Sequence, residues 1–306
     1  MMKIPIYILS GFLGAGKTTL LKNILIQEKN KDRKVAVLMN ELGEVSIDSD
    51  AVDGETPLKE LLNGCVCCTI QGQLEAQLQE LITLHQLDAI YIETTGVAHP
   101  IEVVDACMSP ILVEKIHVES VISLIDAKRW RDRKSLSPQL QSLIIEQVRH
   151  ADVLLLNKVD ELSEVIQGQL AFEVQQINPY AKLLFTTFAS INIKDFQGIE
   201  RKEKEAHQEL RVDKQLKLKT FVYKFQKPVD FDIFENWLRR MPDQIYRIKG
   251  YIRFTHSDTL YLFQYSYGMP IYMKELVKIP TNLVFIGEQL PVSDIRQQLQ
   301  EMEEQS

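Results

Sequence analysis

Residues 11–18 read GFLGAGKT and follow an apolar run at residues 4–9, the order in which a buried strand opens into a phosphate-binding loop. Glycine at 11, 14 and 16 permits backbone angles that turn successive N–H groups toward an anion, and the Lys17 ammonium can lie along the β and γ phosphates. The Thr18 hydroxyl can hold Mg²⁺. Gly11, Gly14, Ala15, Gly16, Lys17, Thr18 and Thr19 are therefore the candidate nucleotide contacts, and Lys17 and Thr18 are also candidates for the chemistry at the γ-phosphate.

A second pattern selects the base. Asn157, Lys158 and Asp160 form NKxD directly after the apolar run 153–156. The Asp160 carboxylate can accept from both N1–H and the exocyclic amine of guanine, a pair that adenine does not offer. Asn157 can address the O6/N7 edge, and the Lys158 stem can cover the ring. GTP is the nucleotide this chemistry predicts. Glu93 ends a further strand-like run, where phosphate-loop proteins place a carboxylate for Mg²⁺ or its water shell, and Gly96 can present its N–H to the γ-phosphate. A loop held by that contact is a switch that hydrolysis releases.

The third pattern is GCVCC at residues 64–68. Three thiols in such close succession are poorly placed to pair with one another but well placed to converge on a soft or borderline cation. Zn²⁺ suits Cys65, Cys67 and Cys68, and the same thiolates also take Co²⁺ or Cu⁺. Three ligands leave a fourth position for a carboxylate, a water or a recipient's ligand. A redox role, or simple burial of small side chains, are the other readings of the cluster. Cys107, alone in an apolar context, reads as core.

The elements that must position these residues are legible as short apolar runs at 35–38, 89–92, 121–125, 153–156 and 183–185, separated by helical stripes such as Leu74, Leu78, Leu81 and Ile82. Alternating strands and helices predict a mostly parallel sheet covered on both sides, an α/β phosphate-loop fold with ligands at the carboxyl ends of its strands. Residues 1–198 form that domain in this reading, 199–218 a charged linker, and 219–306 a smaller α+β domain. In the latter, strands are expected at 220–225, 251–254, 259–265 and 283–286, with a helix over 231–240. Ser293 is the expected cap of a last helix ending near Met302, followed by a frayed tail.

The 306 residues are 45% hydrophobic and 25% charged, with a net charge of −7. No basic face is visible for nucleic acid, and no apolar run is long enough to span a membrane. The amino terminus lacks a signal peptide's order, and four clustered or solitary cysteines do not form a secreted disulfide framework, so a cytoplasmic protein is expected.

Together these motifs identify the chain as similar to the CobW-type GTPases, P-loop proteins proposed as metal chaperones or insertases. The resemblance rests on GFLGAGKTTLL at 11–21, NELGE at 40–44, GCVCC at 64–68, ETTGVAHP at 93–100 and NKVD at 157–160, and extends through YRIKG at 246–250 and LVFIG at 283–287. It implies GTP and GDP as ligands, Mg²⁺ at Thr18 and Glu93, Zn²⁺ at the three cysteines with Glu44 as a further ligand, and a client metalloprotein, here unidentified. His99 stands where many relatives carry an acidic residue, and an imidazole there can add a ligand or simply be solvated. The histidine-rich tract common among relatives is missing. The expected activity is slow GTP hydrolysis that gates metal delivery; a GTP-gated binding module with a fixed structural zinc site, or a small-molecule kinase, are the alternatives. The oligomeric state is open.

Overall fold

The computed structural model describes residues 3–39, 58–60, 69–196, 218–242, 244–266, 269–275, 279–288 and 290–306. The candidate zinc ligands Glu44, Cys65, Cys67 and Cys68, and residues 199–217 of the charged stretch, lie outside them. Two compact units are present, one of residues 1–107 and 115–214, the other of residues 108–114 and 215–306. Residues 108–114 thus pack with the later part of the chain, a placement that no local sequence pattern announces.

In the first unit, β1 (Ile4–Gly11), α1 (Lys17–Lys29), β2 (Val35–Met39), β3 (Leu58–Glu60), α2 (Thr69–Leu84), β4 (Ala89–Glu93) and α3 (Pro100–Cys107) are followed by β5 (Ile116–Asp126), α4 (Ala127–Arg131), α5 (Pro138–Arg149), β6 (Val153–Asn157), α6 (Glu164–Ile177) and β7 (Lys182–Thr186). All strand pairs are parallel, in the order β3-β2-β4-β1-β5-β6-β7. The central strands are buried along nearly their whole length and apolar except at their carboxyl ends, because both faces are covered, as parallel sheets require. On one face Leu20, Leu21 and Ile24 of α1 pack with Tyr7, Leu9, Val37 and Tyr91, and on the other Trp130, Ile144, Val148, Leu170 and Val174 cover Ile125, Leu154 and Leu156. A polar strut joins α1 to the sheet, since the fully buried Glu28 accepts from the Tyr91 hydroxyl at 2.5 Å and from Arg33 at 2.8 Å. Burial, reinforced by that carboxylate, pushes the Tyr91 phenol well above its ordinary range. Cys107 is buried at the end of α3, as its apolar neighbours imply.

The second unit is a five-stranded antiparallel sheet in the order β11-β10-β9-β12-β8, with β8 (Leu218–Lys224), α7 (Phe231–Leu238), β9 (Ile245–Arg253), β10 (Leu260–Ser266), β11 (Met269–Glu275), β12 (Asn282–Glu288) and α8 (Val292–Gln305). Phe234, Trp237, Phe263, Phe285, Leu299 and Met302 form its core, and Phe221, Tyr223, Phe225 and Tyr251 are buried as well.

Two expectations are corrected here. Ser293 lies inside α8, and Pro291 holds the cap position. The tail is not frayed: Glu303 accepts from the Tyr223 hydroxyl at 2.6 Å and from the backbone of Gln226 and Lys227 at 2.6 and 2.8 Å, which anchors the last turn. Strand β11 was not expected, because Met269, Ile271 and Met273 are exposed at the sheet edge and Pro270 interrupts the pattern. No helix among the described residues is long and apolar enough to cross a membrane.

Candidate nucleotide site

The site lies at the carboxyl edge of the parallel sheet, where register alone brings the motifs together. Leu9 of β1 pairs with Glu93 of β4, Gly11 with Leu124 of β5, and Asp126 of β5 with Asn157 of β6. The loop between β1 and α1 needs glycine for steric reasons. Gly11 has φ +132°, and a Cβ there would lie 2.4 Å from the Leu124 carbonyl oxygen. Gly16 has φ +111°, and its Cβ would meet Asn157 Nδ2 at 2.7 Å. The Lys17 side chain is 7% exposed and its Nζ donates to the carbonyls of Gly11 at 2.8 Å and Phe12 at 3.4 Å, inside the arch of the loop.

Thr18, in the first turn of α1, donates its hydroxyl to Glu93 Oε1 at 2.8 Å. Glu93 is 3% exposed. A hydroxyl and a carboxylate facing each other at the positive end of a helix are hard oxygen donors beside a phosphate-binding loop, and this donor set fits Mg²⁺. The segment that follows β4 is pinned at both sides. A Cβ on Gly96 would lie 2.5 Å from the Leu13 nitrogen, so glycine is what lets this segment approach the phosphate loop. Its other side is held by Gln147 of α5, whose Nε2 donates to the carbonyls of Gly96 at 3.2 Å and Ala98 at 3.3 Å.

The NKxD residues divide their work. Asn157 is 2% exposed; its amide donates to the Ala15 carbonyl at 2.8 Å and accepts from the Ala189 N–H at 3.0 Å. It is a strut between the phosphate loop and the turn after β7. Lys158 adopts a left-handed backbone conformation, φ +62°, and its ammonium pairs with Asp126 Oδ2 at 2.7 Å. Asp160 is exposed on the short turn that follows, available to a ligand.

Several contributors carry no motif. Burial raises the Asp126 pKa, but the Arg129 backbone N–H and the Lys158 ammonium outweigh it and hold the carboxyl below the usual range. Arg129 donates to the Leu13 carbonyl at 2.9 Å while its guanidinium lies 5.1 Å from the Phe12 ring centroid, bracing the phosphate loop from α4. Phe188 and Ala189 have φ +51° and +49°, and the Phe188 ring is 79% exposed beside the turn that Asn157 and Asn23 hold. The one sequence signal for any of these was Asp126, a cap-type residue between a strand and a helix.

Residues 5–185 match the family model described as CobW/HypB/UreG, nucleotide-binding domain, and residues 218–303 match the Cobalamin synthesis protein cobW C-terminal domain. The chain is 32% identical over 319 aligned positions to the zinc chaperone YjiA of Escherichia coli, covering 97% of this chain and 98% of that one. It is 27% identical to zinc-regulated GTPase metalloprotein activator 1 of Dictyostelium discoideum, covering 78% of this chain and 60% of the relative. A crystal structure of Zn(II)-bound YjiA GTPase from E. coli superposes with a TM-score of 0.52 at 27% identity, covering 99% of both chains. With both domain models matched in order and a full-length relative alongside them, the chain belongs to the CobW/HypB/UreG family of nucleotide-binding proteins.

Proposed function

We propose that this chain is a GTP-hydrolysing zinc chaperone that releases its cation to a client metalloprotein under nucleotide control. The observation that carries the reading is the Thr18–Glu93 hydrogen bond, which joins the phosphate loop to the first residue of the 93–100 segment. Thr18 and Glu93 would hold Mg²⁺, which would supply neutralising charge to the phosphates. Lys17 stabilises charge on the transferring phosphoryl group, and Gly96 offers its N–H to the γ-phosphate. Asn157, Lys158 and Asp160 hold guanine, with Asp160 as the discriminating acceptor. Loss of the γ-phosphate removes what holds the 93–100 segment, and the metal-holding arrangement of Cys65, Cys67, Cys68 and Glu44 loosens with it.

In this reading residues 1–198 are the GTPase domain, 199–218 the linker and 219–306 the C-terminal domain, and the protein works in the cytoplasm. Slow intrinsic turnover, raised by a client or by metal, belongs to the same reading. The test is Zn²⁺ affinity measured by competition with a chromophoric chelator. Tighter binding with GTPγS than with GDP is expected, and equal affinity in both states overturns nucleotide control.

A further inference from the structure

A cluster between the end of the 93–100 segment and α5 has the composition of a metal site. Glu146 and His150 stand one turn apart on α5, with His150 Nε2 2.9 Å from Glu146 Oε2. His99, from the loop that precedes α3, brings its Nε2 to 3.9 Å from the same carboxylate oxygen. One ligand atom from each of the three residues lies within 4.8 Å of the others, and the two imidazole rings are 5.8 Å apart between centroids at a tilt of 49°. The side chains are half-buried, shielded from bulk water yet reachable.

We propose that His99, Glu146 and His150 form a transition-metal site of the zinc class, built without any of the cysteines. Ligands 2.0–2.1 Å from tetrahedral zinc lie about 3.3 Å from one another, so the spacings above need only small side-chain adjustments. Two imidazoles and one carboxylate are a borderline donor set, which favours Zn²⁺, Co²⁺ or Ni²⁺ over Mg²⁺. Three protein ligands leave a fourth position for water or an incoming ligand, the condition for an exchangeable ion. Arg149 pairs with Glu146 Oε1, leaving Oε2 to the metal and fixing the carboxylate's orientation.

The site bridges the loop to α5 at the point where Gln147 already holds the Gly96 and Ala98 carbonyls. A bound ion therefore fastens the segment that begins at Glu93. It gives the nucleotide edge of the sheet a metal-dependent restraint of its own, separate from whatever the cysteines bind.

The experiment uses the full chain with Cys65, Cys67 and Cys68 replaced by serine, titrated with Co²⁺. One equivalent with the visible d–d bands of tetrahedral Co²⁺, stronger than those of the aqua ion, and no thiolate charge-transfer absorption is expected, and adding His99→Asn or His150→Asn should lower affinity at least about tenfold. No Co²⁺ uptake by this triple-serine protein, or uptake indifferent to both histidine substitutions, overturns the proposal. Retained GDP binding and circular dichroism establish that each variant is folded. Should the triple-serine chain not fold, the wild-type protein is titrated with Zn²⁺ and the ring ¹⁵N shifts of His99 and His150 are followed by NMR. Movement of both supports the site, and rings unmoved at saturating zinc sink it.

Discussion

Thr18 and Glu93, 75 positions apart in the chain, share a hydrogen bond of 2.8 Å that closes the phosphate loop onto the end of β4. The contact follows from sheet register, since Leu9 pairs with Glu93 and the chain turns into α1 a few residues later. A Glu93→Gln substitution keeps the shape and a hydrogen-bonding oxygen but removes the charge. We expect kcat for GTP hydrolysis to fall about a hundredfold, the scale of losing one preorganised electrostatic group, with a higher Mg²⁺ requirement. GDP affinity measured without Mg²⁺ should stay close to that of the wild type. Unchanged hydrolysis at limiting Mg²⁺ would remove Glu93 from the mechanism.

Asn157 is predicted to act as a structural strut as well as a base contact. Truncation to Ala strands the buried Ala15 carbonyl and the Ala189 N–H, which both lose their amide partner. A buried polar group left unsatisfied costs roughly 1–3 kcal/mol, so urea unfolding of Asn157→Ala should show a loss on that scale together with weaker binding of every guanine nucleotide. Asn157→Asp retains the acceptor for Ala189 but sets a carboxylate against the Ala15 carbonyl, and should be the worse of the two. A stable variant that merely loses preference for guanine would mean that the strut is unimportant.

How much of this was readable beforehand depended on the distance over which each residue acts. The phosphate loop and NKxD are local patterns, and the alternation of apolar runs with helical stripes was enough to set the parallel sheet beneath them. What escaped are pairings across the chain. Arg129 reaches Leu13 across 116 positions, Lys158 reaches Asp126 across 32, and His99 meets Glu146 only because its loop and α5 lie against each other. Strand β11 escaped for the opposite reason, since an edge strand that buries little leaves no period to read, and the last turn of α8 is held by Glu303, which accepts from Tyr223 80 positions away. Sequence periodicity reports burial, and these features are polar or exposed.

Gly96 should tolerate no side chain while its loop stays where it is. A Cβ would lie 2.5 Å from the Leu13 nitrogen, 2.6 Å from its Cγ and 2.8 Å from its Cα, and two of these three atoms are backbone. Gly96→Ala must therefore push the segment away from the phosphate loop. If the segment senses the γ-phosphate, GTPγS affinity should fall about tenfold or more while GDP affinity changes little, a difference of about 1.4 kcal/mol at the γ-phosphate alone. Calorimetric titration with both nucleotides checks this, and equal losses for the two would assign the clash to general damage of the loop.

Asp126 makes a prediction about pH whose sign is fixed by its partners. Its folded-state pKa is lowered, so the carboxylate stabilises the fold above the unfolded value near 3.8, and that contribution disappears as pH falls through the lower, folded value. The pair is partly solvated, with 13% of the Asp126 and 36% of the Lys158 side chain exposed, which limits its worth to about 0.5–1 kcal/mol. Asp126→Asn isolates the charge, because asparagine can still accept the Arg129 N–H that caps α4. Wild type should exceed the variant in urea stability at pH 7, and the gap should close as pH falls below the ordinary aspartate value of 3.8 and the wild-type carboxyl takes up its proton. A gap of equal size at both ends of that range would mean that the loss in the variant comes from altered packing rather than from the ion pair with Lys158.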